Sequence, residues 1–292
     1  MLELQERPDP EAGPGQVLIQ VASAGVNFAD VHATRGQYAG SPPPPFVPGL
    51  EVAGREAGTG RPLLALLPAG GYAELAVADR RFVFEADGLD LEVAGAFLLV
   101  TLTAFFALEE VARVRPDERV LVTAAAGGLG SASIQMAKAL GAGRIIGVAS
   151  SPEKRRAALA AGADEAIGYD DPVPPVDLVV DGVGGPLSRR WLEATRHLGR
   201  LLLLGRSSGE PPPIPDFGEL RQRNVAVCCF SFGALRAADP DRVAEKAGAG
   251  VELLRSGRVR PPVGRRLPLA NAAEAHRLLA GRQSIGKLVL NP

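Results

Sequence analysis

Apolar residues along this chain fall into runs of two kinds. From Val17 to Ala22 they alternate with polar or small residues, the period of a strand with one face buried. From Val120 to Thr123, Arg144 to Ala149, Val176 to Asp181 and Arg200 to Leu204 the runs are almost wholly apolar. Strands of that second kind need cover on both faces, which helices between parallel strands supply. The intervening segments have helical spacing. Leu129, Ile134, Ala137 and Leu140 follow one glycine-rich turn, Ser151-Pro152-Glu153 supplies an N-cap, a first-turn proline and an early acid, and Leu187 to Arg196 forms a third helix. The pattern predicts an α/β protein with a doubly wound parallel sheet in the middle of the chain.

On either side of this middle the pattern changes. The first residues read as a short strand, a turn at Pro14-Gly15 and the alternating strand. Asn27 to Tyr38 is polar and aromatic with a short helix, and strands follow after Gly49, at Leu63–Leu67, at Tyr72–Val77 and within Arg80–Glu85. Short strands split by Gly and Pro turns describe a small β-rich domain. From about Asp90 two helices are expected, parted near Val100 to Thr103. Past Gly205 the reading is a proline-rich connector, a strand from Asn224 to Phe230, a helix from Asp241 to Ser256, and then strand, helix (Asn271–Leu279) and strand (Lys287–Leu290). That last strand has no long crossover helix to carry it into the parallel sheet, so it is returned to the β-rich domain. The expected division is 1–89 and 259–292 for a discontinuous β-rich domain, and 90–258 for the domain of the parallel sheet.

Composition narrows the function classes. A net charge of -1 over 292 residues gives no long-range attraction to nucleic acid or anionic lipid. The longest apolar stretches, such as Ala94 to Leu102, are too short to span a bilayer, and Glu3, Glu6 and Arg7 interrupt any amino-terminal signal core. The only cysteines, Cys228 and Cys229, are adjacent, as two positions of one strand, which points to a disulfide-free cytoplasmic protein.

Candidate chemistry centres on Val120 to Gly141. Strand, glycine turn and helix follow one another there, with the spacing Ala125-x-Gly127-x-x-Gly130 of a dinucleotide-binding start, alanine standing at the first glycine position.

Taken with GVNFAD at Gly25, PFVPGLEVAG at Pro45, AAAGGLG at Ala124, SPEK at Ser151, VVDGVGG at Val179 and the ending HRLLAGRQSIGKLVL, the chain resembles the quinone oxidoreductase branch of the medium-chain dehydrogenase/reductase superfamily. The resemblance runs over nearly the whole chain. It implies a GroES-like catalytic domain with an inserted Rossmann domain, NADPH-dependent reduction of quinones or other activated carbonyl compounds, and a homodimer joined through the strand at 224–230. Two departures accompany it. The strand that the family carries ahead of the piece resembling Leu2 to Pro8 has no counterpart here, and Arg55 to Leu63 is shorter than the usual link.

Zinc-dependent relatives use thiolates and imidazoles. The amino-terminal region has no cysteine and one histidine, His32, so hydride transfer without a metal is expected. The strand at Arg144–Ala149 ends in Ser150-Ser151 with no carboxylate to repel a phosphate, and Lys154 and Arg155 follow at a helix start. NADPH is therefore the expected cofactor. By resemblance Lys154, Tyr169 and Arg282 hold its 2'-phosphate. Gly127, Gly128, Leu129 and Gly130 bring the backbone to the pyrophosphate, and Ser150 joins the cofactor set as the strand end that lacks an acid. Thr103, Gly182, Val183, Gly205, Ser207 and Phe230 match positions lining the nicotinamide and its ribose.

For the chemistry itself, the resemblance places Asn27, Asp30, His32 and Tyr38 beside the substrate. Asn27 and Tyr38 are the candidate hydrogen-bond donors to the substrate oxygen or to the nicotinamide ribose, and Asp30 is expected to orient its neighbours or hold local backbone. His32 stands where several relatives have tyrosine, as a proton donor or a plain cleft-lining side chain. Two other functions stay open at this point: an enoyl-thioester reductase, and an NADPH-binding sensor with little turnover.

Overall fold

The computed structural model describes residues 2–38, 42–213 and 215–292. Among these described residues, five strands open the chain: β1 Gln16–Val26, β2 Glu51–Glu56, β3 Pro62–Leu66, β4 Leu75–Asp79 and β5 Val83–Glu85. Six follow: β6 Arg119–Val122, β7 Arg144–Val148, β8 Glu165–Ile167, β9 Val176–Asp181, β10 Thr195–Leu203 and β11 Ala226–Cys229. Two close it, β12 Val263–Pro268 and β13 Lys287–Asn291.

The chain divides into two compact units. The first holds the chain to Leu102 with Gly233–Gly257 and Pro261–Pro292; the second holds Thr103–Phe232 and Arg258–Arg260. The helix segments of 91–102 and the helix Pro240–Arg255 thus group with the β-rich unit, whereas the sequence reading assigns them to the nucleotide domain. For the first of these the reason is packing on β1. The Ser23 hydroxyl accepts from Gly95 N at 3.0 Å, and a Cβ on Gly95 would lie 2.1 Å from Ser23 O.

In the first unit the sheet order is β12-β13-β1-β2-β3-β5, with β4 also on β1. The last strand pairs antiparallel with β1, Val289 opposite Gly25, which is the return of the carboxyl-terminal segment expected from its missing crossover. Alternation along β1 sends Val17, Ile19 and Val21 into a core with Val52, Leu63, Ala76, Leu267 and Leu288.

The second unit is a parallel sheet in the order β11-β10-β9-β6-β7-β8. Read from the other edge, this is the doubly wound order in which the chain starts at a central strand, walks one way, then returns and walks the other. The reversal falls between β6 and β9. Leu121, Ile146, Val148, Val179 and Leu201 meet Trp191 and Leu192 in the core on one face of the sheet.

Two element expectations fail. Residues 2–13 form no strand; Pro8, Pro10 and Pro14 lack amide donors for a ladder, and Leu4 stays 69% exposed. The helix break lies at Gly95–Phe97 rather than at Val100–Thr103, which sits inside the helix Leu98–Phe105. Gly95 breaks the helix where the backbone must approach Ser23; the residues around Val100 carry no such demand. The sequence reading also omits β8 and the helices Phe217–Arg223 and Phe232–Ala238, each only a few residues long.

Candidate active site

In the second unit β6 runs into Thr123 and the turn Ala124 to Gly127, and the helix Gly128–Ala139 starts on an extended Gly127 with no side-chain cap. Its amino-terminal N–H groups carry the positive end of a twelve-residue helix with no acid in the first turn. Gly130 is required here, because a Cβ would meet Ala124 O at 2.3 Å. Ala125, at the first glycine position, is fully buried without a positive φ; the left-handed residue of the turn is Ala124, at φ 48. Alanine therefore fits where the fingerprint usually has glycine. The Ala124 N–H donates to the Tyr169 hydroxyl at 3.1 Å, which holds that left-handed residue in place.

After β7 the chain reaches exposed Ser150, and Ser151 caps the helix Pro152–Ala160 by accepting from Lys154 N at 3.2 Å. The cap, the following proline and the half-buried Lys154 make an end suited to an anion, with no carboxylate at the strand terminus. Beyond β9, the turn Gly182–Gly185 meets the segment after β10. Ser208 N donates to Val183 O at 2.9 Å, and a Cβ on Gly205 would lie 2.9 Å from Gly182 O. Phe230 follows β11, its N–H on Leu203 O at 3.1 Å. This ring of glycine-lined backbone at the carboxyl ends of β6, β9 and β10 fits a dinucleotide, since side chains there would fill the cradle.

The first unit holds a buried polar cluster. Asn27 caps the helix Phe28–Thr34, its backbone N–H donating to Asp30 Oδ2 at 2.8 Å. The Asn27 amide donates to Glu51 Oε1 at 2.9 Å and to Gly25 O at 3.4 Å, and its oxygen accepts from Lys287. Lys287 Nζ also donates to Glu51 Oε1 at 2.9 Å and to Val26 O at 3.1 Å. The other Glu51 oxygen accepts from Leu99 N at 2.8 Å. One ammonium and one carboxylate are thus paired and hydrogen-bonded at 3% and 0% side-chain exposure.

Asp30 completes the cluster, with its Oδ1 buried and without a hydrogen-bond partner among the described residues. Burial pushes its carboxyl up to about 7; the Asn27 N–H and Lys287 pull the other way and Glu51 adds to the rise. The Tyr72 phenol, 3.1 Å from His276 Nε2, ionises well above its ordinary range through burial and the neighbouring Asp30 and Glu51 charges. Burial, helped by Arg35, holds His276 down at about 4, so its ring is neutral at pH 7. Tyr38 is half-buried and also raised, by desolvation and by Asp30 against the pull of Arg236; at neutral pH it is a donor. A Cβ on Gly233 would fall 2.1 Å from the Tyr38 hydroxyl, so the phenol rests on bare backbone.

The sequence matches two known families. The profile described as alcohol dehydrogenase GroES-like domain covers residues 13–61, and the one described as zinc-binding dehydrogenase covers residues 128–245. A quinone oxidoreductase of Pseudomonas aeruginosa is 33% identical over 319 residues, spanning 100% of this chain and 96% of that protein. Among solved structures, the quinone oxidoreductase of Thermus thermophilus, determined alone and with NADPH, superimposes with a TM-score of 0.88 at 39% identity, over 99% of this chain and 96% of that one. The Escherichia coli quinone oxidoreductase, complexed with NADPH, gives 0.85 at 27% identity, over 99% and 95%.

The chain belongs to the quinone oxidoreductase branch of the medium-chain dehydrogenases/reductases. Its β-rich unit is the GroES-like domain and its parallel sheet the Rossmann domain of that branch. Of the residues carried over from the branch, Gly127, Gly128, Leu129, Gly130, Ser150, Lys154 and Tyr169 lie along the glycine turn and the segments after β7 and β8. Gly182, Val183, Gly205, Ser207 and Phe230 lie in the segments after β9, β10 and β11, and Thr103 on the helix Leu98–Phe105. Arg282 belongs to the first unit, exposed and left-handed at φ 57 after the helix Ala272–Ala280.

Asn27 and Asp30 come together as expected of neighbours on one helix start, but the Asn27 amide is directed into the Glu51–Lys287 pair. His32 sits in the last turn of its helix, 6.4 Å from the Phe28 ring and with Nδ1 3.5 Å from Gln37 Oε1. Sequence reasoning missed Glu51, Lys287, Tyr72 and His276. A lysine and a glutamate on otherwise apolar strand segments, KLVL and LEVA, were the available signal.

Proposed function

We propose that this protein reduces a quinone or another small α,β-unsaturated carbonyl compound with hydride taken from NADPH, without a metal. The observation that carries the reading is the end of β7: no acid, an exposed Ser150, and Lys154 in the first turn of a helix capped by Ser151. That arrangement suits a ribose 2'-phosphate and would leave the hydroxyls of an unphosphorylated ribose without their usual acceptor. The relatives solved with NADPH support the same cofactor.

NADPH supplies the hydride when bound. The residues that would hold it are Gly127, Gly128, Leu129 and Gly130 at the pyrophosphate, Ser150, Lys154, Tyr169 and Arg282 at the 2'-phosphate end, and Thr103, Gly182, Val183, Gly205, Ser207 and Phe230 at the nicotinamide end. On the protein side, Tyr38 is the proposed hydrogen-bond donor to the substrate oxygen as negative charge develops there. Asn27 and Asp30 orient the helix that leads to Tyr38, through the Glu51–Lys287 pair, and His32 lines the same helix. The metal-free part of the reading rests on the sequence, whose amino-terminal region offers no cysteine and a single histidine, His32, as soft ligands for zinc.

The proposed assembly is a homodimer joined through β11, in the cytoplasm. Among the described residues β11 is the edge of its sheet, laddered to β10 alone, with Val227 half-buried and both cysteines free. No helix of the described residues is long and apolar enough to cross a membrane. Oxidation of NADPH with a panel of small quinones, enones and enoyl thioesters tests the reading.

A further inference from the structure

Where the strand order of the parallel sheet reverses, the carboxyl ends of β6 and β9 are joined by side chains. Asp181, the last residue of β9, is fully buried. Its Oδ1 accepts from Thr123 Oγ1 at 2.9 Å, from Val183 N at 2.9 Å and from Gly184 N at 3.2 Å; its Oδ2 accepts from Ser188 Oγ at 2.6 Å. Thr123, the residue after β6, in turn accepts at Oγ1 from Gly182 N, 3.0 Å away, and its own N–H donates to Val180 O at 3.0 Å.

Four neutral donors thus surround one buried carboxylate, replacing its hydration with fixed dipoles. The consequence is geometric. Gly184 and Gly185 both take φ 68, a left-handed path with no intrinsic preference to hold it, and the amides of Gly182, Val183 and Gly184 are all claimed by the Asp181–Thr123 pair. The turn is therefore set by the carboxylate. In open parallel sheets the crevice at this reversal is where dinucleotides lie.

We infer that Asp181, with Thr123, is a positioning residue for the nicotinamide half of the cofactor, holding Gly182 and Val183 at the crevice without touching the ligand. The inference rests on the NADPH reading above. It concerns one half of the cofactor only, since the glycine turn and Lys154 serve the other half.

Binding of NADPH and of 2',5'-ADP, which lacks the nicotinamide half, separates these roles. In Asp181→Ala the Kd for NADPH rises roughly tenfold or more, as loss of hydrogen bonds to a charged group implies, while the Kd for 2',5'-ADP stays within about twofold. Asp181→Asn restores NADPH binding, because the amide oxygen keeps Thr123, Val183 and Gly184 and the Ser188 hydroxyl turns to accept from the amide nitrogen. Thr123→Val, close in shape, cuts the bridge and moves NADPH binding in the same direction; it carries the test if Asp181→Ala does not fold. Equal losses for both ligands, or no loss for NADPH, overturn the inference and leave the cofactor reading intact. A wild-type chain that binds neither ligand overturns the cofactor reading and the inference together.

Discussion

Lys287 Nζ lies 2.9 Å from Glu51 Oε1, although 236 residues separate them in the chain. The contact ties the first residue of β13 to the first residue of β2 and fixes Asn27 between them. A pair so buried is costly to break from one side, because the remaining charge has no water to turn to. Lys287→Met is expected to lower unfolding free energy by ~3–5 kcal/mol. In the double variant with Glu51→Gln the loss should fall well short of the sum of the two single losses, by an interaction term on the order of 1–3 kcal/mol. Denaturant unfolding of the four species measures it. Strict additivity would show that the pair is not coupled.

Asp30 and His276 give stability opposite dependences on pH. Asp30 titrates at about 7 in the fold against an ordinary 3.8, so from about pH 4 to 7 the folded state holds a proton that the unfolded state has lost, and stability falls as pH rises. His276 titrates at about 4 against 6.5, so over most of the same window the unfolded state holds the extra proton and stability rises with pH. Each slope is ~1.4 kcal/mol per pH unit, and in the wild type they largely cancel. Asp30→Asn should therefore show stability climbing between about pH 4 and 6.5, and His276→Gln should show it declining between about pH 4 and 7. Thermal melts across this range read the result; two variants with parallel profiles would contradict it.

Replacing Lys154 by alanine should weaken NADPH binding by roughly tenfold to a hundredfold, the ~1.5–3 kcal/mol of a charge-assisted contact, and leave NADH binding nearly unchanged. Titrations with both cofactors check this. An equal effect on the two would remove Lys154 from the phosphate.

Phe230 N–H donates to β10, so the period-two alternation of a strand turns the Val227 N–H toward the open edge of the sheet. Val227→Pro should consequently preserve the ladder to β10 while disrupting pairing with a second copy. Sedimentation at micromolar concentration is expected to give a dimer for the wild type and a folded monomer for the variant. A wild-type monomer, or a variant that stays dimeric, would place no interface at β11.

Much of this was legible in the chain because it is local. The run Val120 to Thr123, the glycine turn and the following helix lie within one short stretch, so pattern alone located the dinucleotide-binding start. The return of β13 to β1 followed from the absence of a crossover helix. The Glu51–Lys287 pair was not legible, since only the folded sheets bring β2, β13 and Asn27 together. Tyr72 and His276 escaped for the same reason, 204 residues apart yet in contact. The helix break was misplaced because Val100, Thr101 and Thr103 are β-branched and locally disfavour a helix, whereas the break at Gly95 is dictated by a close approach to Ser23 that no local pattern announces. Asp181 was visible within VVDGVGG, but its partners Thr123 and Ser188 were not.

NADPH-dependent quinone reduction is tested most directly by following the absorbance of reduced nicotinamide when the purified chain is mixed with a small quinone and either NADPH or NADH. Quinone-dependent oxidation of NADPH is expected, with a kcat/KM at least about tenfold above that with NADH, unchanged by a chelator. Tight NADPH binding with no oxidation on quinones, enones or enoyl thioesters would contradict it, as would activity that disappears when bound zinc is removed.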